Sequence, residues 1–223
     1  LEGGELSLDL ADFQYLAVGE SAEVSFSFDV SDGDVSVGNT LSVTITGEND
    51  DPSVSGALEV SAAEDDAGFS VGLLDGASDV DASDTLTIVN LSVSGGDASG
   101  VSVDGDDLII DPSAYDYLAA GEVVTLVYNY DIIDGNGGSV PQTATITITG
   151  ANDAPTVETA LSQTASEGDA GFTIDLLDGA NDVDGDALSV TNLLVVSGDD
   201  SGITVSGDGT ELIVDPSAYA DLE

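Results

Sequence analysis

Closely spaced aspartates occur twice in the sequence, each time in a loop between two apolar stretches that alternate with polar residues. The first set is Asp79, Asp81 and Asp84, and its copy is Asp182, Asp184 and Asp186. Alternating aspartates in one loop direct several carboxylates toward one point, and Ca²⁺ binds six to eight oxygen ligands at about 2.3–2.6 Å. We therefore expect each loop to bind calcium.

A short Asn-Asp-x-Pro linker accompanies each loop. The first linker offers Asn49, Asp50 and Asp51, and the second offers Asn152 and Asp153. Proline holds the residue before it in extended conformations, so the linker is stiff. We expect two interdomain calcium sites. The first would combine the first linker with Glu64, Asp79 and Asp81, and the second would combine Asn152, Asp153, Glu167, Asp182 and Asp184.

The sequence lacks most of the residue types that catalysis or the binding of other metals requires. The 223 residues include no Lys, Arg, His or Cys, so the usual general bases and nucleophiles are missing. Oxygen ligands without His or Cys favour calcium over zinc, copper or iron. A glycosidase-like carboxylate pair is the enzymatic alternative, but the acids lie in turns, and aromatic residues amount to 5% with no Trp. We expect that the chain is not an enzyme.

The net charge of the chain also favours bound cations. The 45 acidic residues give a net charge of −45, and such self-repulsion opposes a compact state. Hydrophobic residues nevertheless make up 41% of the chain, which is enough for a folded core. We therefore expect a folded protein neutralised by bound cations. So acidic a surface repels nucleic acids and anionic membranes, and no stretch has the length of a membrane span, so we expect neither nucleic-acid binding nor direct membrane insertion.

The sequence repeats itself with a period of about 103 residues. The linker motif at 47–52 recurs at 150–155, and Asp-Pro-Ser-Ala-Tyr at 111–115 recurs at 215–219. With the linkers as boundaries, we predict the C-terminal half of a repeat at 1–47, a complete repeat at 53–150 and the N-terminal part of another at 155–223. Neighbouring repeats of the same chain are then the first partners of each module.

Period-two alternation of apolar residues predicts an all-β fold. Val24, Phe26, Phe28 and Val30 share one face, as do Ala144, Ile146 and Ile148. Within the complete repeat we predict seven strands, near 57–63, 69–74, 86–93, 100–103, 107–111, 123–132 and 142–149. One helical turn is compatible with 112–118. Seven short strands in about 100 residues are typical of a sandwich, so we predict tandem Ig-like or cadherin-like β-sandwich repeats.

These motifs resemble a known repeat. The Tyr-Leu-Ala-Ala-Gly-Glu run at 117–122, the Tyr-x-Tyr-Asp-x-x-Asp-Gly run at 128–135 and the segment 145–155 are similar to the VCBS repeat, and the linkers resemble cadherin-type junctions. The resemblance implies Ig-like sandwiches in very large bacterial surface proteins, many of them RTX-type adhesins exported by type I secretion, with calcium between modules. The first linker departs from the second, since Asp51 stands where the other copy has Ala154.

The expected function is that of a structural extender, or stalk, in a secreted bacterial adhesin that supports cell adhesion or biofilm, at the cell surface or outside the cell. Calcium would stiffen the interdomain linkers. One alternative is a ligand-binding adhesin head, which the close repetition disfavours. Another is an extracellular filament in which the strands of 1–47 complete the open sandwich of 155–223 in another chain, head to tail.

Overall fold

The computed structural model describes residues 6–221, and within them all regular structure is β-strand apart from three short 3₁₀ helices. The strands are β1 (Ser21–Ser31), β2 (Ser36–Thr46), β3 (Ser53–Val54), β4 (Leu58–Ala63), β5 (Phe69–Gly72), β6 (Ala77–Ser78), β7 (Thr87–Gly95), β8 (Val101–Asp104), β9 (Asp107–Ile110), β10 (Val123–Ile133), β11 (Ser139–Thr149), β12 (Thr156–Val157), β13 (Phe172–Asp175), β14 (Ala180–Asn181), β15 (Ile203–Val205) and β16 (Glu211–Val214). The helices are Leu10–Phe13, Pro112–Tyr115 and Pro216–Tyr219. The all-β prediction is confirmed.

The predicted strands of the complete repeat are present, and two more are found. All seven begin and end within a few residues of the predicted limits, and the helical turn forms at Pro112–Tyr115. Strands β3 and β6 were not predicted because two residues are too few to show alternation. The outer ends of the predicted terminal repeats, residues 1–5 and 222–223, lie outside the described residues. Within 6–221 no helix is long and apolar enough to cross a bilayer.

The described chain divides into two compact units. Unit 1 consists of residues 6–62, 66–113 and 124–148, and unit 2 of residues 63–65, 114–123 and 149–221. The predicted repeat limits follow sequence similarity instead, and they stay a prediction.

The core of unit 1 lies between a four-stranded and a three-stranded sheet. Their strand orders are β4-β11-β10-β7 and β5-β9-β8. Side chains alternate along β10 and β11, and each strand buries one face. The fully buried apolar side chains of this unit include Leu73, Leu108, Ile110, Leu126, Ile132, Ala144, Ile146 and Ile148. The Tyr130 hydroxyl donates to the Leu73 carbonyl at 2.7 Å, which satisfies two buried polar groups.

Two small pairs of strands, one in each unit, place the acidic loops. In unit 1, β3 pairs antiparallel with β6, so that Ser53 is opposite Ser78. In unit 2, β12 pairs with β14, and Thr156 is opposite Asn181. Because antiparallel pairing sets the start of one strand beside the end of the other, the linker before β3 or β12 lies next to the loop after β6 or β14.

Candidate metal centres

The linker and the aspartate loop touch in both units through the same hydrogen bond. The Asp50 N–H donates to Asp81 Oδ2 at 2.8 Å in unit 1. In unit 2 the Asp153 N–H donates to Asp184 Oδ2, also at 2.8 Å. The duplicated sequence motif thus folds into a duplicated local geometry, in which each linker lies next to its loop.

The first acidic centre is formed by Asp79, Asp81 and Asp84. One carboxylate oxygen from each lies within 4.8 Å of the others. Asp81 is only 1% exposed. The oxygens Asp79 Oδ2, Asp81 Oδ1 and Asp84 Oδ2 are buried and have no hydrogen-bond donor. Buried carboxylate oxygens without a hydrogen-bond donor are costly, and a bound cation would remove that cost.

Asp134 lies at the first linker, and sequence analysis missed it as a site residue. Its Oδ2 accepts a hydrogen bond from Asn49 Nδ2 at 2.8 Å. Its Oδ1 accepts the N–H groups of Asn136, Gly137 and Gly138 at 2.7, 3.0 and 3.0 Å. Burial raises the pKa of Asp134, but these four donors outweigh burial and hold the pKa below its ordinary value. Asp134 is therefore a fixed negative charge at the linker.

One more hydrogen bond ties the turn of Asp134 to the first acidic centre. Asn136, in the same turn, donates from Nδ2 to Asp84 Oδ1 at 2.8 Å. Asn49 Oδ1 is buried and has no donor, like the three aspartate oxygens. Asp51 is exposed, and its Oδ1 would be 2.8 Å from a Cβ placed on Gly138. Asp134 belongs to the Tyr-x-Tyr-Asp-x-x-Asp-Gly run at 128–135, which sequence analysis used only for the family resemblance and not for the metal site.

The second acidic centre is formed by Glu64, Asp153 and Asp184. Their nearest carboxylate oxygens also lie within 4.8 Å of one another. Glu64 has no exposed surface, and its Oε1 accepts the Ala151 N–H at 2.6 Å. Glu64 Oε2 and Asp184 Oδ1 are buried and have no donor. Burial raises the pKa of Glu64, and the negative charges of Asp184 and Asp153 raise it further, against the opposing Ala151 bond.

Two further acids face the second acidic centre. Burial, and then the charges of Asp184, Asp65, Asp116 and Asp182, raise the pKa of Asp153. Asp116 also contributes to the raised pKa of Glu64. Sequence analysis missed both Asp65 and Asp116. Asp116 directly follows the duplicated Asp-Pro-Ser-Ala-Tyr motif, and Asp65 directly follows Glu64. Their position next to duplicated residues was the signal in the sequence that could have identified them.

The structure groups the two predicted glutamates differently from the sequence. Glu64 lies with the second linker, and not with Asp79 and Asp81 of the first. The reason is its position at the end of β4, where its N–H donates to the carbonyl of Thr149, the last residue of β11, at 3.1 Å. Glu167, the copy of Glu64, lines a hollow with Pro216 and Tyr219 and belongs to no acidic cluster among residues 6–221.

The remaining predicted residues lie at the linkers and loops. Asn152 Nδ2 donates to the Asp153 carbonyl at 2.7 Å, and Asn49 Nδ2 donates to the Asp50 carbonyl at 3.0 Å. Asp182 and Asp186 form a further cluster with Asp184. Asp182 Oδ1 accepts the Asp184 N–H at 3.1 Å and so shapes the loop.

Both centres fit a hard divalent cation. Every donor is a carboxylate or amide oxygen, which is the ligand class of Ca²⁺, and no His or Cys competes. The buried oxygens without donors also favour a cation, because a single hydrogen-bond donor would leave most of them unsatisfied. Asp79, Asp81, Asp84 and Asn49 would hold an ion in the first centre, and Glu64, Asp153 and Asp184 in the second.

The cadherin-like domain family matches this chain twice, at residues 48–149 and at residues 151–220. Among solved structures, human mucin-like protocadherin EC1-2 is 16% identical, with a TM-score of 0.42 over 68% of this chain and 76% of that chain. Mouse clustered PcdhgC3 EC1-3 is 19% identical, with a TM-score of 0.40 over 93% of this chain and 69% of that chain.

The endo-fucoidan hydrolase MfFcnA4 from glycoside hydrolase family 107 is 19% identical, with a TM-score of 0.33 over 89% of this chain. This chain spans 30% of the length of that hydrolase. No curated protein matches this chain. The two family matches together cover most of the sequence, and each includes one aspartate loop and the linker that precedes it. The chain belongs to the cadherin-like domain family.

Proposed function

We propose that this chain is an extender module in the stalk of a secreted bacterial adhesin of the VCBS and RTX type, stiffened by calcium at its linkers. The observation that carries the proposal is the composition of the second acidic centre. Glu64 comes from the end of β4, Asp153 from the linker, and Asp184 from the loop that follows the linker. An ion held by all three would tie one repeat to the next.

Electrostatics explains why the cation matters. The chain carries 45 acids and no basic side chain, so no salt bridge can neutralise the crowded carboxylates. Calcium sites of extracellular modules have dissociation constants of about 10⁻⁴–10⁻³ M. At free calcium about 100-fold above that constant, one site stabilises the folded chain by about 2.7 kcal/mol. That is a large share of the net stability of a small domain.

The direct partners of a repeat in this proposal are its neighbours in the same chain. One hydrogen bond between predicted neighbouring repeats lies in unit 1. The Ala82 N–H of the first aspartate loop donates to the carbonyl of Tyr15 at 3.3 Å. Tyr15 belongs to the predicted repeat before the linker. In the low calcium of a cytosol these junctions would stay loose, which suits export, and in extracellular calcium they would stiffen at the cell surface.

We propose that the chain is not an enzyme. Two of the clustered acids, Asp81 and Asp184, accept linker N–H groups, and their loops follow the short strands β6 and β14. A ligand-binding head is the alternative role. Specific binding of the purified chain to cells or glycans would favour the head, and hydrolysis of a glycan would contradict the non-enzymatic role.

Small-angle X-ray scattering in excess EDTA and in about 10 mM calcium tests the stiffening. The concentration is chosen to exceed the weak end of extracellular affinities. We expect calcium to lengthen the particle and narrow its distribution of dimensions. Asp184→Asn should lose most of that change, and Asp104→Asn, which removes an exposed charge outside both centres, should keep it. An identical scattering profile with and without calcium would contradict the proposal.

A further inference from the structure

The turn between β10 and β11 contains an Asn-Gly pair, Asn136-Gly137, and no other asparagine in the sequence precedes a glycine. Asparagine before glycine is the pair most prone to deamidation, because a following residue without a Cβ leaves its backbone nitrogen open to the asparagine side chain. Both residues are exposed, so water reaches them. The space around Gly137 is open too, since a Cβ placed on it would meet no atom within 4 Å.

We propose that Asn136 deamidates spontaneously through a cyclic imide formed with Gly137. The Gly137 nitrogen loses its proton to water or hydroxide and attacks Cγ of Asn136. A bond forms between these two atoms, the bond from Cγ to Nδ2 breaks, and Nδ2 takes up a proton and leaves as ammonia. Water then opens the five-membered ring at either carbonyl carbon. One opening yields aspartate, and the other yields isoaspartate, in which the main chain runs through the side-chain carbons. The reaction consumes water, releases ammonia and needs no other reactant.

Two hydrogen bonds in the turn limit the rate of this reaction. The Gly137 N–H donates to Asp134 Oδ1 at 3.0 Å, and Asn136 Nδ2 donates to Asp84 Oδ1 at 2.8 Å. The attacking nitrogen must turn toward Cγ, so the turn has to open locally before the imide can close. We therefore expect the folded chain to react more slowly than the unfolded chain. Within the folded chain, Asn136 should still react faster than any asparagine that precedes a residue with a side chain.

The equivalent turn between β1 and β2 has an aspartate at this position. The Asp34 N–H donates to Asp32 Oδ1 at 3.0 Å, as the Asn136 N–H donates to Asp134 Oδ1 at 2.7 Å. Aspartate, one of the two products, is therefore compatible with this type of turn. The following residue differs, because it is Val35 in the turn between β1 and β2 and a glycine in the turn between β10 and β11. The reactive pair is thus confined to the second of these turns.

Deamidation removes a hydrogen-bond donor from the first acidic centre and adds a negative charge beside it. The Asn136 amide donates to Asp84 Oδ1, and the product has a carboxylate in its place. Isoaspartate also adds one carbon to the main chain of a turn whose three successive N–H groups converge on Asp134 Oδ1. Asp134 in turn holds the linker through Asn49. We therefore expect the modified chain to be less stable in EDTA. The reaction needs no calcium, so a failure of the calcium proposal would leave it unaffected.

Mass spectrometry of peptides tests the site. The purified chain is kept in EDTA in a warm, mildly alkaline buffer, sampled over time and digested with pepsin, because the acidic digestion suppresses further deamidation. Each deamidation replaces an amino group by a hydroxyl group and raises the mass of the peptide accordingly. Asn129 is the internal control. It is exposed, its Nδ2 donates to Ser94 Oγ at 2.7 Å, and Tyr130 follows it in the sequence.

We expect Asn136 to convert at least about tenfold faster than Asn129, into two products of equal mass that chromatography separates. The variant Asn136→Gln keeps an amide but would have to close a six-membered ring, so it should stay unconverted. Its urea unfolding midpoint in EDTA should stay constant during the incubation, while the midpoint of the unmodified chain falls. Conversion of Asn136 no faster than Asn129, a single product without isoaspartate, or a midpoint that stays constant as Asn136 converts would overturn the proposal.

Discussion

Replacing Asp81 by Asn in the first acidic centre should stabilise the chain in EDTA and destabilise it in calcium. Asp81 Oδ2 accepts the Asp50 N–H, and Oδ1 lies buried beside oxygens of Asp79 and Asp84. Asparagine has nearly the same shape and keeps one acceptor for Asp50. Its amide N–H₂ group replaces the orphaned oxygen and can donate to the two neighbouring carboxylates. The variant therefore removes one of three crowded charges and adds donors among acceptors.

The structure sets the size of both effects. Two carboxylate charges 4.8 Å apart repel by about 3.5 kcal/mol at an effective dielectric constant near 20. Solvent and counterions cancel much of this, so in EDTA we expect Asp81→Asn to be more stable than the unmodified chain by about 1 kcal/mol. In calcium at about 100 times the dissociation constant, the unmodified chain gains about 2.7 kcal/mol that the variant forgoes. The variant is then less stable by about 1.7 kcal/mol.

Urea unfolding followed by circular dichroism, in EDTA and in calcium, measures both differences. Asp104→Asn is the matched control, because Asp104 is exposed at the end of β8 and lies outside both centres. The control should shift little and by the same amount in both conditions. If Asp81→Asn destabilises the chain equally with and without calcium, Asp81 acts as an ordinary structural group and the reasoning about its orphaned oxygen is refuted.

Three further predictions follow from single contacts. Gly138→Ala should destabilise the chain by more than about 2 kcal/mol in urea unfolding, because its Cβ would lie 2.2 Å from Asp134 Oδ2, whereas Gly95→Ala, with open space, should cost far less. Tyr130→Phe should cost about 1–3 kcal/mol, since it leaves the buried Leu73 carbonyl without its donor; an unchanged midpoint would contradict this. In EDTA, stability should rise as pH falls from 7 toward about 4.3, because the raised pKa of Glu64 makes the folded chain bind protons more tightly than the unfolded chain. Glu64→Gln should flatten that rise, and below this range the lowered pKa of Asp134 should reverse it as Asp134 is protonated.

The fold was predictable from the sequence because its strands are long enough to alternate. Strands β10 and β11 have eleven residues each and bury every second side chain, which is the pattern that periodicity detects. Strands β3 and β6 have two residues each and carry no period. These short strands nevertheless decide the site, because their pairing places the linker next to the aspartate loop.

The candidate site was predictable in its residue types but not in all its groupings. Asp50 and Asp153 lie beside Asp81 and Asp184 because each linker and its loop flank one pair of short strands. The position of Glu64 depends on which strands are neighbours in the sheet, and sequence alone does not reveal that β4 lies next to β11. Asp134 was missed for a similar reason, since 85 residues separate it from its partner Asn49.

Calorimetric titration of calcium into the EDTA-stripped chain tests the central claim most directly. We expect saturable binding with dissociation constants of about 10⁻⁴–10⁻³ M. The double variant Asp81→Asn with Asp184→Asn should lose the heat of both centres, while Asp104→Asn should titrate like the unmodified chain. Absence of saturable binding in the unmodified chain, or a double variant that binds calcium as well as its parent, would contradict a calcium-stiffened stalk built on these two acidic centres.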